Sequence, residues 1–252
     1  MKKIALVAVI LVAVVVVILV ATRGHRDRAS DAVATPAQPA VVVVLDPAHG
    51  GRDPGTKAEG VQEKDLVLAI ANRVLAIAAV ERPDIKVVLT RASDVEAASE
   101  ERLLVATREG AGMYLSLHVN AFDKTTVYGA ETWVDSSRTA ADPSWTLARS
   151  VQKAIVASAG VRDRGVKSQD LYLRRLSIPA ASTQVGFLTS PEERAKLLDP
   201  AYQDLLARGI LQGISDYVLV SGAATPVAGG PLPTVQAAPA GGSATRPVGS
   251  GS

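Results

Sequence analysis

Residues 41–51, VVVVLDPAHGG, place four valines and a leucine directly before a polar turn that ends in two glycines. A short, continuous apolar run of this kind is typical of a β-strand buried on both faces, as in a parallel sheet. The proline and the glycines indicate that the chain then continues as a loop, residues 46–61. From Glu63 to Val80 the sequence has a broad apolar face, which predicts a helix. These residues together predict the first strand, loop and helix of an α/β domain.

The alternation of strand and helix continues through the rest of residues 41–220. Strands are predicted at residues 85–90, 113–117, 129–134, 171–173 and 180–185. Helices are predicted at residues 100–109, 143–159, 191–198 and 202–219. This order predicts helices packed around a mostly parallel sheet, and ligands of such sheets bind beyond the carboxyl ends of the strands. The residues that follow the strands are therefore the first candidates for a functional site.

Two histidines and a carboxylate come close to strand ends in this arrangement. His49 follows the first strand, His118 follows the third, and Glu63 opens a helix, where the helix dipole favours an ionised carboxylate. Two neutral imidazoles and a carboxylate form the open three-ligand set of a catalytic zinc. Taken singly, His49 could stabilise a turn, His118 could pack in the core and Glu63 could be only a helix-start acid. Their shared edge favours a metal site, whereas His25 precedes the domain and is expected to take no part.

The composition excludes several other kinds of site. The 252 residues contain no cysteine, which excludes disulfides, thiolate metal sites, iron–sulfur clusters and cysteine nucleophiles. Aromatic residues make up only 4%, so an aromatic platform for single-stranded nucleic acid is not expected. Residues 41–220 carry 21 basic and 23 acidic side chains, so the net charge of +2 comes from the ends of the chain. The domain has no basic excess with which to bind nucleic acid.

The two ends of the chain differ from the domain in composition. Residues 4–21 are 18 consecutive apolar residues, and a helix of this length spans about 27 Å, close to the hydrocarbon core of a bilayer. We predict that residues 1–21 are a transmembrane anchor rather than a signal segment, because the nearest good cleavage site, residues 32–34, lies beyond several charges. Residues 22–40, which become rich in Ala and Pro, predict a linker. Residues 221–252 are low in complexity and carry one charge, which predicts a disordered tail.

Short motifs spread over nearly all of residues 41–219 resemble one known family. In order, they are residues 43–51 (VVLDPAHGG), 63–66 (EKDL), 89–91 (LTR), 116–122 (SLHVNAF), 129–131 (GAE), 164–167 (RGVK) and 185–188 (VGFL). The set is similar to that of the zinc-dependent N-acetylmuramoyl-L-alanine amidases of type 3. This resemblance implies that residues 41–220 are a catalytic domain with a mixed, mostly parallel six-stranded sheet flanked by helices. It also implies one zinc ion held by His49, Glu63 and His118, and hydrolysis of the amide between N-acetylmuramic acid and L-alanine in peptidoglycan.

The sequence departs from this family at a glutamate that acts as general base on the attacking water. The family has this glutamate just before the Gly-Phe pair of the last motif, where this chain has Gln184. A carboxamide can orient water, but it cannot exchange a proton at neutral pH as a carboxylate does. Two functional hypotheses follow. In the first, the chain is a zinc amidase that is either slow or assisted by another carboxylate such as Glu131. In the second, it is a catalytically weak or silent, membrane-tethered module that has a peptidoglycan-binding or regulatory role.

Three further side chains are candidates for substrate binding. Arg164 and Lys167 could hold the carboxylates of a peptidoglycan stem peptide, and a pair of solvated loop charges is an equal alternative. Asn120, two residues after His118, is the third candidate. For Glu131 the favoured interpretation is a polar residue with a structural partner.

The resemblance implies peptidoglycan as the partner and the cell envelope as the location. With residues 4–21 as an anchor, the protein would be membrane-bound with its body outside the cytoplasm. With a cleaved signal, it would be secreted or periplasmic. No nucleic-acid partner is expected, and the sequence identifies no activator protein.

Overall fold

Eight β-strands occur in the part of the chain that the computed structural model describes, residues 41–222. They are β1 (Val41–Pro47), β2 (Lys57–Ala58), β3 (Val61–Gln62), β4 (Ile85–Leu89), β5 (Met113–Asn120), β6 (Ala130–Asp135), β7 (Asp163–Gln169) and β8 (Ala180–Phe187). β2 and β3 form a small antiparallel hairpin, and the other six form one sheet in the order β4-β1-β5-β8-β6-β7. Neighbouring strands of this sheet are parallel except β6 and β8. The predicted mixed, mostly parallel six-stranded sheet is confirmed.

Five helices flank the sheet. They are α1 (Glu63–Glu81), α2 (Ser99–Arg108), α3 (Pro143–Ala159), α4 (Pro191–Leu198) and α5 (Pro200–Ser221). The last three start with a proline, and each follows an Asp or Ser whose side chain accepts a hydrogen bond from a first-turn N–H group. α3 ends at Gly160 in the left-handed conformation, as its sequence predicts. These local signals explain why the helix boundaries could be read closely from the sequence.

The two faces of the sheet carry separate apolar clusters. The larger cluster packs α1, α3 and α5 against alternate strand residues such as Val43, Leu45 and Leu115. The smaller cluster lies on the opposite face, where α2 and the segment after β7 cover Val44 and Tyr114. Because side chains alternate along a strand, the residues of β5 that share a face with Tyr114 are the serine and the histidine that follow at positions 116 and 118. The second face therefore leads directly to the candidate site.

Several assignments made from the sequence are wrong. The predicted strand at residues 171–173 is instead the start of a 3₁₀ helix, Tyr172–Arg175, and the sixth strand of the sheet is β7. β7 lies at the sheet edge and is half-exposed, so it lacks the apolar alternation that identifies a strand. Its residues Arg164 and Lys167 are therefore strand residues rather than loop residues. His118 and Asn120 also lie within β5, which is longer than predicted.

No helix within residues 41–222 is long and apolar enough to cross a bilayer. The predicted anchor at residues 1–21, the predicted linker at residues 22–40 and all but the first two residues of the predicted tail, residues 221–252, lie outside the described residues. Ser221, the first residue assigned to the tail, is instead the last residue of α5.

Candidate metal centre

His49 lies in the loop after β1 with a left-handed backbone (φ 62°), which is uncommon for a residue other than glycine. Gly50 and Gly51 follow with φ of 125° and 58°. A Cβ on Gly50 would lie 2.2 Å from the carbonyl oxygen of Val95, so the position accepts only glycine. The two glycines therefore let the chain turn sharply after His49 and pass close to the loop beyond β4.

Two buried arginines hold this loop in place. Arg91, only 3% exposed, donates to four backbone carbonyls, including those of Pro47 and Ala48 at 2.7 and 2.9 Å. Arg102 of α2 donates to the backbone carbonyl of His49. A guanidinium offers several donors in a fixed plane, so each arginine ties several groups into one geometry. Neither arginine was identified as a site residue from the sequence.

Glu63 is the first residue of α1 and is 3% exposed. Its carboxylate accepts hydrogen bonds from the backbone N–H groups of Thr56, in the loop after β1, and of Val119, in β5, at 2.9 and 3.0 Å. The amino end of a helix also favours a negative charge. The carboxylate is thus held between the two chain segments that carry the histidines.

His49, Glu63 and His118 converge at this point. Nε2 of His49 lies 3.2 Å from Oε2 of Glu63, and Nδ1 of His118 lies 3.0 Å from Oε1. One donor atom from each residue lies within 4.8 Å of the other two, so the group could hold a metal ion. Imidazole nitrogens and a carboxylate oxygen are donors that zinc accepts. The structure brings together all three residues that the sequence analysis selected as ligands.

The space beside the donor atoms is kept free by a glycine. A Cβ on Gly55 would lie 2.6 Å from Oε2 of Glu63 and 2.6 Å from Cδ2 of His49. Any larger side chain would therefore press on two of the three candidate ligands. The absence of a side chain here fits a site that accommodates an ion.

The titration of the site reflects the close approach of these groups. Burial alone would raise the pKa of Glu63, but hydrogen bonds from His118 and His49 outweigh it and hold this pKa far below its ordinary value. Burial likewise would lower the pKa of His49, but the hydrogen bonds and charges of Glu63 and Asp53 raise it. The centre is therefore organised around an ionised carboxylate.

Each histidine uses its second ring nitrogen for another contact. Nδ1 of His49 lies 2.7 Å from Oδ2 of Asp53, and Nε2 of His118 lies 3.2 Å from Oγ of Ser116. Ser116 in turn donates to Oδ2 of Asp46 at 3.0 Å. Contacts of this kind orient imidazoles that bind metals. The sequence analysis did not select Asp53, Ser116 or Asp46, although Ser116 stands two residues before His118 and so shares its face of the strand.

Gln184 lies on β8 between two site residues of the neighbouring strands. The register pairs it with His118 of β5 on one side and with Glu131 of β6 on the other. Residues paired across a sheet share a face, so the half-buried Gln184 stands on the face that carries His118. A carboxamide is therefore the side chain that the sheet places next to the candidate metal centre.

Glu131 is 2% exposed and is engaged by three side chains. Asn120 donates to Oε1 at 2.8 Å, while Arg164 and Lys167 contact Oε2 at 2.8 and 2.5 Å. Burial raises the pKa of Glu131, but the hydrogen bonds and charges of Lys167 and Arg164 lower it overall. A carboxylate held by two cations is a weak base. All three residues predicted to bind substrate thus converge on Glu131, and these contacts favour its structural interpretation over proton transfer.

Replacing Glu131 with glutamine is expected to destabilise the domain at neutral pH by about 1–3 kcal/mol, because Arg164 and Lys167 lose their charged partner. The folded-state pKa of Glu131 is below the ordinary value of 4.5, so its stabilisation is complete above that pH and is lost as the pH falls through the folded-state pKa. The difference between wild type and Glu131→Gln should therefore shrink in acid. Urea unfolding of both proteins at neutral and acidic pH measures it, and an unchanged difference would contradict this role.

Replacing Gly55 with alanine is expected to weaken metal binding, because the added methyl group presses on Glu63 and His49. Gly60 is a matched control: both glycines are left-handed, with φ of 64° and 78°, but nothing lies within 4 Å of a Cβ on Gly60. Alanine at either position carries a backbone cost of about 1–2 kcal/mol. Urea unfolding measures that shared cost, and zinc titration should separate the variants. Equal zinc affinities would show that Gly55 does not protect the site.

Comparison with known proteins adds independent information. The sequence model of a family described as N-acetylmuramoyl-L-alanine amidase matches residues 43–216. The chain is 34% identical over 176 residues to N-acetylmuramoyl-L-alanine amidase LytC of Bacillus subtilis strain 168, a match covering 69% of this chain and 35% of LytC. It is 32% identical over 175 residues to the sporulation-specific N-acetylmuramoyl-L-alanine amidase of the same strain, covering 69% of this chain and 67% of that relative.

A solved structure with a similar fold is that of N-acetylmuramoyl-L-alanine amidase from Clostridium difficile 630. The TM-score is 0.68 at 38% sequence identity, and the match covers 72% of this chain and 98% of that chain. This chain thus corresponds to nearly the whole of the Clostridium chain but to about a third of the length of LytC. The family match over residues 43–216 includes all three candidate ligands and Gln184.

Proposed function

Because the chain belongs to the type 3 N-acetylmuramoyl-L-alanine amidase family, we propose that it is a zinc-dependent hydrolase of the amide between N-acetylmuramic acid and L-alanine in peptidoglycan. The observation that carries this proposal is the convergence of His49, Glu63 and His118 to within 4.8 Å. The family match supports the substrate class, and the donor types support zinc.

Nε2 of His49, Nδ1 of His118 and the carboxylate of Glu63 would hold the ion. Bound zinc would polarise the scissile carbonyl and lower the pKa of a water molecule. The protein's own contribution is to fix these donors: Arg91 and Arg102 hold the loop of His49, and backbone N–H groups hold Glu63. These contacts would hold the ligands in a constant geometry while the substrate binds.

Proton transfer is the step that this chain supports poorly. Cleavage of an amide requires that a proton leave the attacking water and that one reach the leaving nitrogen. Gln184 can orient a water molecule or a substrate group through its carboxamide, but it cannot take up and return a proton. Glu131, next to it in the sheet, is held ionised by Arg164 and Lys167. We therefore propose slow hydrolysis.

Gln184 also favours a second candidate function, a catalytically silent module that binds peptidoglycan or regulates. The candidate metal centre and its supporting contacts are intact, whereas the position for proton transfer is filled by a carboxamide. Such a protein would retain affinity for the glycan–peptide junction. The roles of Asn120, Arg164 and Lys167 in binding the stem peptide remain a prediction in both cases.

Purified sacculi test both candidates with the full-length protein and added zinc. An amidase exposes new amino groups on L-alanine without creating new reducing sugar ends, which distinguishes it from a glycosidase. We expect the wild type to expose these amino groups slowly. A chelator should stop this reaction, and the His49→Ala variant should not show it. Zinc-dependent sedimentation with sacculi without release would support the binding module. If the protein neither releases amino groups nor sediments with sacculi, both candidates are contradicted.

We also propose that the protein acts in the cell envelope, with its body outside the cytoplasm and residues 4–21 as its membrane anchor. The location of peptidoglycan and the apolar run support this proposal. Protease added to intact spheroplasts should then remove the domain. Release of a soluble mature form would support a cleaved signal instead, and full protection from protease would contradict the external location.

A further inference from the structure

A chain of hydrogen bonds leads from the centre of the sheet to one candidate ligand. Ser116 Oγ donates to Oδ2 of Asp46 at 3.0 Å and lies 3.2 Å from Nε2 of His118. Asp46 and Ser116 are both 0% exposed. The two residues are also direct partners in the register of β1 and β5. The contact chain is therefore built into the sheet rather than into a mobile surface.

The donors and acceptors in this chain can be assigned from their chemistry. Asp46 forms an ion pair with Arg102 at 2.7 Å and accepts hydrogen bonds from the hydroxyl groups of Thr90 and Tyr172. An ionised carboxylate accepts but does not donate, so the single hydroxyl proton of Ser116 points to Asp46. Oγ of Ser116 then has only acceptor capacity left for the ring of His118. The matching partner is a proton on Nε2.

We propose that Asp46 and Ser116 are positioning residues that hold His118 with its proton on Nε2, which leaves Nδ1 to bind the metal ion. The inference rests on the metal centre of the proposed function. Nδ1 is the nitrogen that faces Glu63 at 3.0 Å, so this tautomer directs the free lone pair toward the other donors. The role of Asp46 is indirect, because it acts through Ser116.

In His49 the two ring nitrogens have the reverse roles, and the supporting partner is an exposed carboxylate rather than a buried hydroxyl group. Its Nδ1 contacts Asp53 and its Nε2 faces Glu63. The side chain of Asp53 is 57% exposed, so water can substitute for that contact. Water has no access to the buried Ser116. We therefore expect the buried chain at His118 to contribute more to metal affinity than the exposed contact at His49.

The experiment compares Ser116→Ala with Ser182→Ala in the full-length protein in detergent. Ser182 is a matched control: it is 4% exposed and pairs with Ser116 in the sheet, and among the described residues no hydrogen bond joins it to a candidate ligand. Zinc affinity is measured by competition with a chelator. Thermal unfolding of the metal-free proteins separates a lost ligand partner from a damaged fold. Side-chain ¹⁵N spectra of the zinc-loaded proteins report which nitrogen of His118 carries the proton.

We expect Ser116→Ala to weaken zinc binding about 10–100-fold and to lose the slowly exchanging Nε2–H signal of His118. Ser182→Ala should change neither, and Ser116→Thr, which keeps the hydroxyl group, should retain the signal. Equal zinc affinity of the two alanine variants would overturn the inference, and so would a proton on Nδ1 of His118 in zinc-loaded wild type. If Ser116→Ala does not fold, the ¹⁵N spectrum of zinc-loaded wild type tests the inference by itself, because it shows which nitrogen of His118 carries the proton. A wild type that binds no zinc would contradict the proposed function itself.

Discussion

Gln184→Glu is expected to raise the rate of hydrolysis of muramoyl–alanine bonds by about 10²–10⁴, the usual contribution of a general acid–base group. The exchange is nearly isosteric, and the half-buried position on β8 already accommodates the carboxamide. The new carboxylate could accept a proton from the attacking water and return it to the leaving nitrogen. Its register neighbour Glu131 is already paired with Arg164 and Lys167, so these two cations offset the negative charge beside the new carboxylate.

Release of L-alanine amino groups from sacculi measures this gain. Gln184→Met is the matched control, because it keeps the size of the side chain but has neither a carboxylate nor a carboxamide. A fast wild type with no gain in Gln184→Glu would refute the role assigned to this position. An inactive wild type and an inactive variant, both still binding zinc and sacculi, would favour the silent module.

Loss of the metal is the second large effect, expected for His49→Ala. Wild-type protein should contain about one zinc ion per chain, because three side chains supply one ligand set. Loss of a supporting contact typically weakens metal binding about 10–100-fold, and removal of a ligand should weaken it more. Hydrolysis should fall to the level of the buffer. His25→Ala is the control, since this histidine precedes the domain and should leave the zinc content unchanged.

Metal analysis after dialysis and a chelator competition measure the effect. Glu63→Gln provides an independent variant that keeps the size of the side chain while it removes the charge between the two imidazoles. Zinc content that is equal in wild type, His49→Ala and Glu63→Gln would contradict the assigned site. Thermal unfolding of the metal-free variants shows whether each one still folds.

The sequence was most informative where a residue's role depends on its immediate neighbours. The valines of β1 predict a buried strand, and Pro143 and Gly160 predict the two ends of α3. β7 was missed because an edge strand needs no apolar alternation, and the short apolar stretch at residues 171–173 was mistaken for a strand. The order of strands and the reversed direction of β6 relative to β8 depend on contacts that no local pattern contains.

The same limit applies to the candidate site. His49, Glu63 and His118 could be selected because few residue types bind zinc and the motifs give their order. Arg91 and Arg102 could not, because each contacts a loop more than 40 residues earlier in the sequence. For Glu131 the sequence left two roles open, proton transfer and a structural contact. Only the contacts of Asn120, Arg164 and Lys167 distinguish them.

The larger apolar cluster lies on the face of the sheet opposite to His118, and none of the three candidate ligands belongs to it. We therefore expect the domain to fold without zinc, unlike small domains whose folding energy comes from the ion. A chain that crosses a membrane unfolded could fold on the far side first and acquire its ion afterwards. In the proposed location outside the cytoplasm, the supply of zinc would then set the fraction of protein that carries the ion without altering the amount of folded protein.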